Sequence, residues 1–486
     1  MRGIGPTSVF KGAILTISMR WTDRLVGFVS TLILARLLVP EDFGIIAMAS
    51  LVIGLLDALL DLGVNVALIQ NRHTTTAHYD TAWTLRLIQT IISASVVLMA
   101  AHQAAVYFKD PRIAPVIQLM AAGLVLSGLE NIGVITFQKE MRFGMDFRFV
   151  FFKRIAGFLV TMLAAWLMRS YWALVIGALA GRTLGVLLSY RMHAMRPRLS
   201  LAKLREIFAV SQWMLLNSVG NYLNSNLHNM LVGRRASAAI MGGYTLAGDI
   251  SAMPSTELLA PLNRVLFPAF VAAKHDLAEL RRLFLLAQSV QSLLGMPAGV
   301  GLALVAHEAV LILLGAKWLF VVPFVQILAL ANVVGAITAS SNYVLMTMGK
   351  FRSIVLITWL QVIFFAIAVL FIPPGSGVLQ IAWLRALTVL TGLLLSTWML
   401  IRTLPNLSLP DLGRSILRPL LGISVMALAI ISIGEVTTFA PFAALIVKVA
   451  TGLLIYPAAI MLMWWGTNKP AGAESYLLDK ALGGLG

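Results

Sequence analysis

Apolar residues come in long runs along this chain, separated by short polar stretches. A helix needs about 20 mainly apolar residues to cross the hydrocarbon core of a bilayer. Fourteen runs meet that need, at about residues 12–37, 44–68, 80–106, 113–136, 148–168, 171–190, 206–232, 241–265, 284–306, 320–346, 352–372, 377–401, 418–434 and 440–465. The eighth is interrupted by Pro254 and Pro261, and the thirteenth is short. The pattern predicts an all-α polytopic membrane protein of about 14 transmembrane helices.

Charge supports that count. Of the 37 Lys and Arg, 24 fall in the terminal segments and alternate loops of one side when edge residues are counted with their loops. Only 7 fall on the other side, and Arg20, Arg24, Arg86, Arg182, Arg385 and Lys448 lie inside spans. Basic residues collect on the cytoplasmic side, so both termini are expected there. The formal charge of +17 is then a product of topology and needs no nucleic acid. Only 12% of residues are charged, against about 25% in soluble domains. There is no cysteine, which excludes disulfides and thiolate metal sites. The long first span follows Met1 directly, with no small-residue cleavage site after a short apolar core. Every connection is about twenty residues or shorter, so no enzyme domain is expected, and no cofactor.

The first span has a charged middle, Arg20-Trp21-Thr22-Asp23-Arg24. Arg20 and Arg24 share a helix face with Asp23 beside them. Charge at that depth costs several kcal/mol and normally faces a protein interior or a wet cavity. Arg20 can pair with Asp23, which leaves Arg24 for a cavity. Arg86 either snorkels or faces the same space, and Arg182 and Arg385 are further candidates. Guanidinium forks match the phosphoryl edges of a diphosphate. Asp57 and Asp61, one turn apart in the second span, suit proton or sodium coupling or pairing with the first-span arginines. Asp249 and Glu257 of the eighth span join them as ion-coupling candidates. In the seventh span Asn217, Asn221, Asn224 and His228 repeat at helical spacing, as a sugar-binding stripe or an interhelical seam.

Two cytoplasmic loops stand out. Phe137 to Arg154 interleaves Phe137, Phe143, Phe147 and Phe149 with Lys139, Arg142, Arg148, Lys153 and Arg154, a pattern for an interfacial helix or for topology-setting charge. Residues 193–205 read as a linker between halves. Arg36 precedes Gly44 by the same eight residues that separate Arg235 from Gly243, an echo six spans apart. The expected organisation is two six-helix lobes, 1–192 and 206–401, with the last two spans and tail at 402–486.

Ala35-Arg36-Leu37-Leu38, Pro40-Glu41-Asp42-Phe43-Gly44, Asp61-Leu62-Gly63 and Ala67-Leu68-Ile69-Gln70 make the chain resemble Wzx-type polysaccharide-transporter flippases. Gly233-Arg234 with Gly243-Tyr244, Val265 to Phe270 with Leu280-Arg281-Arg282, and Leu314-Gly315-Lys317-Trp318 extend the similarity over about residues 10–400. These flippases belong to the multidrug/oligosaccharidyl-lipid/polysaccharide exporter superfamily, and the resemblance is to its colanic-acid and exopolysaccharide subgroup. It implies a MATE-like fold in the bacterial inner membrane. It also implies that polyprenyl-diphosphate-linked oligosaccharide moves from the cytoplasmic to the periplasmic leaflet by alternating access through a cationic central cavity. A polysaccharide polymerase is an implied partner. The rival is a cation-coupled multidrug exporter of the same superfamily, which should have an acid-dominated cavity. A polymerase or ligase would need a large periplasmic loop.

Overall fold

The computed structural model describes residues 22, 24–60, 68, 74–140, 142–204, 211–373, 375, 377–436, 440–469 and 472–476. Its regular structure among these residues is helical, and each of the fourteen predicted runs overlaps a helix. They are α1 (24–37), α2 (Pro40–Leu60), α3 (Thr76–Phe108), α4 (Ile113–Gly128) with the short α5 (Ile135–Lys139), α6 (Phe143–Met168), α7 (Trp172–Met192), α8 (Ser211–Arg235) and α9 (Ala238–Ala272). Then follow α10 (Leu277–Leu304), the short α11 (Ala306–Leu313), α12 (Val322–Thr347), α13 (Phe351–Leu370), α14 (Val378–Thr403), α15 (Leu409–Val436) and α16 (Pro441–Gly466). Among the described residues ten helices are long and apolar enough to cross a membrane, and an eleventh if the bent fourth span is counted. α8 and α9 lie outside that set because amides, hydroxyls and carboxylates dilute their apolar faces. α9 stays helical through both of its prolines.

The chain divides into two compact units, Met1–Gly242 and Gly243–Gly486. The division falls after α8, whereas the expected lobe boundary falls before it. Within the first unit α8 lies on α2, where the Tyr222 hydroxyl donates to the Leu51 carbonyl at 2.6 Å. The expected linker runs along α3. The backbone N–H groups of Arg198, Ser200 and Lys203 donate to Asp80, Thr84 and Thr81. In the second unit α15 and α16 pack on α10 through Met426, Ile430, Tyr456 and Ile460.

The first-unit motifs now have physical reasons. The buried Asp42 carboxylate accepts from the N–H of Val39 at 3.1 Å and of Tyr171 at 2.9 Å, tying the α1–α2 turn to the start of α7. α6 and α7 meet over small residues, with Gly157 against Gly181 and Gly177 under Thr161, so their backbones approach closely.

Two expectations need correcting. The fourth span is not one straight helix: it breaks after Gly128 and bends by 64° before continuing through α5. Asn131 holds the break, its side chain accepting from Gly133 N–H and donating to the Met195 carbonyl. Nor is there a separate interfacial helix at Phe143–Arg154, which forms the first turns of the 26-residue α6. Phe137 and Phe149 are buried together, and such burial outweighs an interfacial position.

The same break contains a pH-sensitive contact. His193 Nδ1 accepts from Met195 N–H at 3.1 Å, which leaves the proton on Nε2, 3.1 Å from the Thr136 hydroxyl. Burial holds this imidazole below its ordinary value near 6.5, and Glu140 works in the opposite direction. Neutral His193 therefore contributes its full stability above that value, and the contribution is lost as pH falls through the lower folded value. The melting temperature should fall between about pH 7.5 and 5.5 in the wild type, and fall less in His193→Gln.

Candidate functional site

Two recesses with polar groups in their linings open on the first unit. The first, about 590 Å³, is lined by Asp57 and Ala58 of α2, Gln89 of α3 and Ser218, Asn221, Tyr222, Ser225 and Asn226 of α8. The lining residues of α8 recur every three or four positions, so they share a face. Gly54 makes room for that face, because a Cβ there would meet the Tyr222 ring at 2.8 Å. Asp57 and Asn221 are exposed in the cleft. Hydroxyls, amides and one carboxylate in such a concave surface suit a polyhydroxylated ligand.

The second cavity, about 540 Å³, lies between α1, α6 and α7. Lys153, Arg154 and Arg182 line it, with Gly27, Gly157, Gly177 and Gly181 among its walls. Lys153 Nζ pairs with the buried Glu130 at 2.7 Å. A third cavity, about 590 Å³ between α10, α15 and α16 of the second unit, is almost wholly apolar, with Lys448 and Glu474 in its lining.

The sequence candidates fall at different places. Arg20 and Asp61 lie outside the described residues, as does Asp23. Arg24 is exposed at the start of α1, and Arg86 is half-buried on α3 and lines neither first-unit cavity. Arg182 lines the cationic cavity, and Asp57 and Asn221 line the cleft. Asn217 and Asn224 are half-buried, and His228 is 9% exposed; the cleft face of α8 is turned about a quarter turn from their stripe. In the second unit Arg385 of α14 is half-buried. Asp249 is exposed, and Glu257 is half-buried and accepts a long 3.4 Å contact from Thr256.

Several residues were not singled out for the site by sequence. Lys153 and Arg154 were placed with the preceding loop, and the signal that could have moved them is Gly157, which with Gly177 and Gly181 marks a close helix pair around them. Glu130 was hidden because the apolar run continues across the break. Tyr222, Ser218 and Ser225 carry no distinguishing pattern beyond sharing a face.

Comparison with known proteins bears on the fold and the family. The profile of the family described as polysaccharide biosynthesis protein matches residues 33–323. The lipopolysaccharide biosynthesis protein WzxC of Escherichia coli K12 is 29% identical over 326 residues, 65% of this chain and 64% of that one. Among solved structures, the lipid II flippase MurJ superposes with a TM-score of 0.76 over 94% of this chain and 99% of that one, at 11% identity. A multidrug resistance MATE family transporter of the MOP superfamily gives 0.60 over 82% and 99%, at 14% identity. At these identities the structures establish the fold, which is MATE-like.

Proposed function

We propose that this chain, which belongs to the polysaccharide biosynthesis protein family, is a flippase for polyprenyl-diphosphate-linked oligosaccharide in a bacterial inner membrane. The observation that carries the reading is the pairing, in one apolar helical unit, of a cleft of amides and hydroxyls with a cavity of cations. Sugar hydroxyls and a diphosphate are the two chemistries that such a pair accommodates. The relationship to a lipopolysaccharide biosynthesis protein supports the same substrate class.

In this reading both termini face the cytoplasm and the headgroup crosses by alternating access. Arg24 and Arg182 attract the diphosphate, and Asn221 contacts sugar at the cleft. Outward movement of negative charge from a negative interior gains about 2.3 kcal/mol per charge per 100 mV, which favours export. Asp57, Asp61, Asp249 and Glu257 are the groups through which a proton or sodium ion would couple to it. The exported units would pass to a polysaccharide polymerase.

Reconstituted flipping of a lipid-linked oligosaccharide tests the reading. Arg24→Ala and Arg182→Ala should each slow flipping at least about tenfold, since a charge-assisted hydrogen bond contributes roughly 1.5–3 kcal/mol. Wild-type rates in both variants would overturn the cationic role. Gradient-driven export of a cationic dye, with no flipping, would favour the multidrug-exporter reading.

A further inference from the structure

We propose that the turns α1–α2, α3–α4, α6–α7 and α8–α9 form a basic surface on the outward end of the first unit, and that it binds the carboxylates of an acidic glycan. The proposal takes its orientation from the flippase reading above and goes beyond it in the chemistry of the passenger, which would carry acidic sugars.

The distribution of charge is the first argument. Lys and Arg are depleted on the outward side of a membrane protein. Of the seven on that side in this chain, six lie in these four turns or at the helix ends that enter them: Arg36, Lys109, Arg112, Arg169, Arg234 and Arg235. Cations are favoured at helix C-termini in general. Yet α11, α13 and α15 of the second unit end with no basic residue in their last turns, so the helix ends of this chain do not require one.

Contacts join the four turns into one surface. The Tyr171 N–H on Asp42 ties α6–α7 to α1–α2. Arg112 of α3–α4 reaches Glu41, at the start of α2, at 3.3 Å. The end of α8 packs on the end of α3, where a Cβ at Gly233 would come within 2.7 Å of the Phe108 ring. Positive charge is left over. Asp42 is occupied by two backbone N–H groups, and Arg112 takes both Glu41 and Asp110, the latter at 2.8 Å. Arg36, Lys109, Arg169 and Arg234 remain exposed, and Arg235 Nη1 is buried without a hydrogen-bond partner.

The way the cations are seated is the third argument. Lys109 and Arg169 cap α3 and α6 in the left-handed region, with φ of 59° and 45°. Glycine is the usual residue there, so a long cation is kept at both positions at a conformational cost. The Arg234 guanidinium lies over the Tyr107 ring, 4.8 Å from its centroid. Stacking fixes the plane of the fork and leaves its edge donors to meet a carboxylate. Cations spread over four turns match charges repeated along a glycan better than one lipid headgroup.

The test uses the full chain in phosphatidylcholine nanodiscs, with end-labelled octagalacturonate as the probe and fluorescence anisotropy as the readout. Lys109→Gly with Arg169→Gly suits the left-handed backbone and removes two cations. This pair should weaken binding at least about tenfold while melting at or above the wild-type temperature. Arg234→Gln, at a helical position, should weaken binding as well, whereas Arg402→Gln of α14 binds as wild type. Wild-type affinity in the glycine pair or in Arg234→Gln overturns the proposal. A lower melting temperature of the glycine pair would mean that the cations serve the helix ends, and overturns it too. Equal binding of neutral maltooctaose would mean a general sugar surface. Displacement of the probe by phosphatidylglycerol in the nanodisc would mean a lipid-headgroup surface, and either result overturns the proposal. The chain has no cysteine, so Ser237→Cys, exposed in the α8–α9 turn, reports orientation cleanly. It should react with a membrane-impermeant maleimide in intact spheroplasts; reaction only after lysis overturns the outward placement. If the protein binds the probe but flips no lipid-linked oligosaccharide, the flippase reading fails and the surface stands. If it flips but binds no probe, the surface fails and the flippase reading stands.

Discussion

Gly44→Ala is expected to destabilise the first unit by about 3 kcal/mol, the upper part of the range for overpacking a tight contact. A Cβ at residue 44 would lie 1.8 Å from the Ala238 carbonyl oxygen and 2.6 Å from its carbon. Both are backbone atoms, so no rotamer change relieves the clash. The approach is reciprocal: a Cβ at Gly242 would lie 2.1 Å from the Pro40 carbonyl oxygen and 2.7 Å from Gly44 N. The starts of α2 and α9 therefore touch backbone to backbone, and helix separation itself must change to admit one methyl group. Gly301→Ala in α10 is the matched control, since its Cβ would meet nothing within 4 Å. That change should be neutral or stabilising by up to about 0.5–1 kcal/mol through chain entropy. Thermal unfolding of the purified protein followed by circular dichroism separates the two outcomes. Equal melting temperatures for the two variants would show that the α2–α9 approach is looser than the structure has it.

That contact also shows what sequence can and cannot supply. Gly44 and Gly243 are visible as an echo, but their reason is not: Gly44 faces the backbone of Ala238, whereas a Cβ on Gly243 would meet Phe320. The apolar runs located every long helix among the described residues because a spanning helix is a local property of some twenty consecutive residues. Positions within helices were less legible. The break after Gly128 is set by Asn131 and Ser189, partners 58 residues apart, and no local pattern encodes it. Lys153 and Arg154 read as loop residues because their charge marks a span edge, whereas burial of Phe149 starts α6 earlier. The stripe on α8 has the right period, yet which face borders a cleft depends on α2 and its Gly54. Arg182, Asp57 and Asn221 were reachable because polar groups inside long apolar runs are conspicuous wherever they end up.

Lys448 is the intramembrane cation that sequence left without a role, and the structure gives it one. It sits in the apolar α16, and its Nζ is 2.6 Å from Glu308 Oε1 of α11, with side chains 17% and 12% exposed. The second carboxylate oxygen of Glu308 is buried without a hydrogen-bond partner, so Lys448 carries most of the compensation for that charge. Lys448→Met should therefore destabilise the second unit by about 3–5 kcal/mol, the penalty for leaving a buried charge unpaired. Glu308→Gln alone should do comparable damage by stranding the ammonium. The double variant Lys448→Met with Glu308→Gln should regain most of the loss, because two neutral side chains of similar volume carry no uncompensated charge. Melting temperatures of the four proteins close the cycle. Losses that simply add in the double variant would mean that the pair is not coupled, and that Lys448 is in the apolar cavity wall for another purpose.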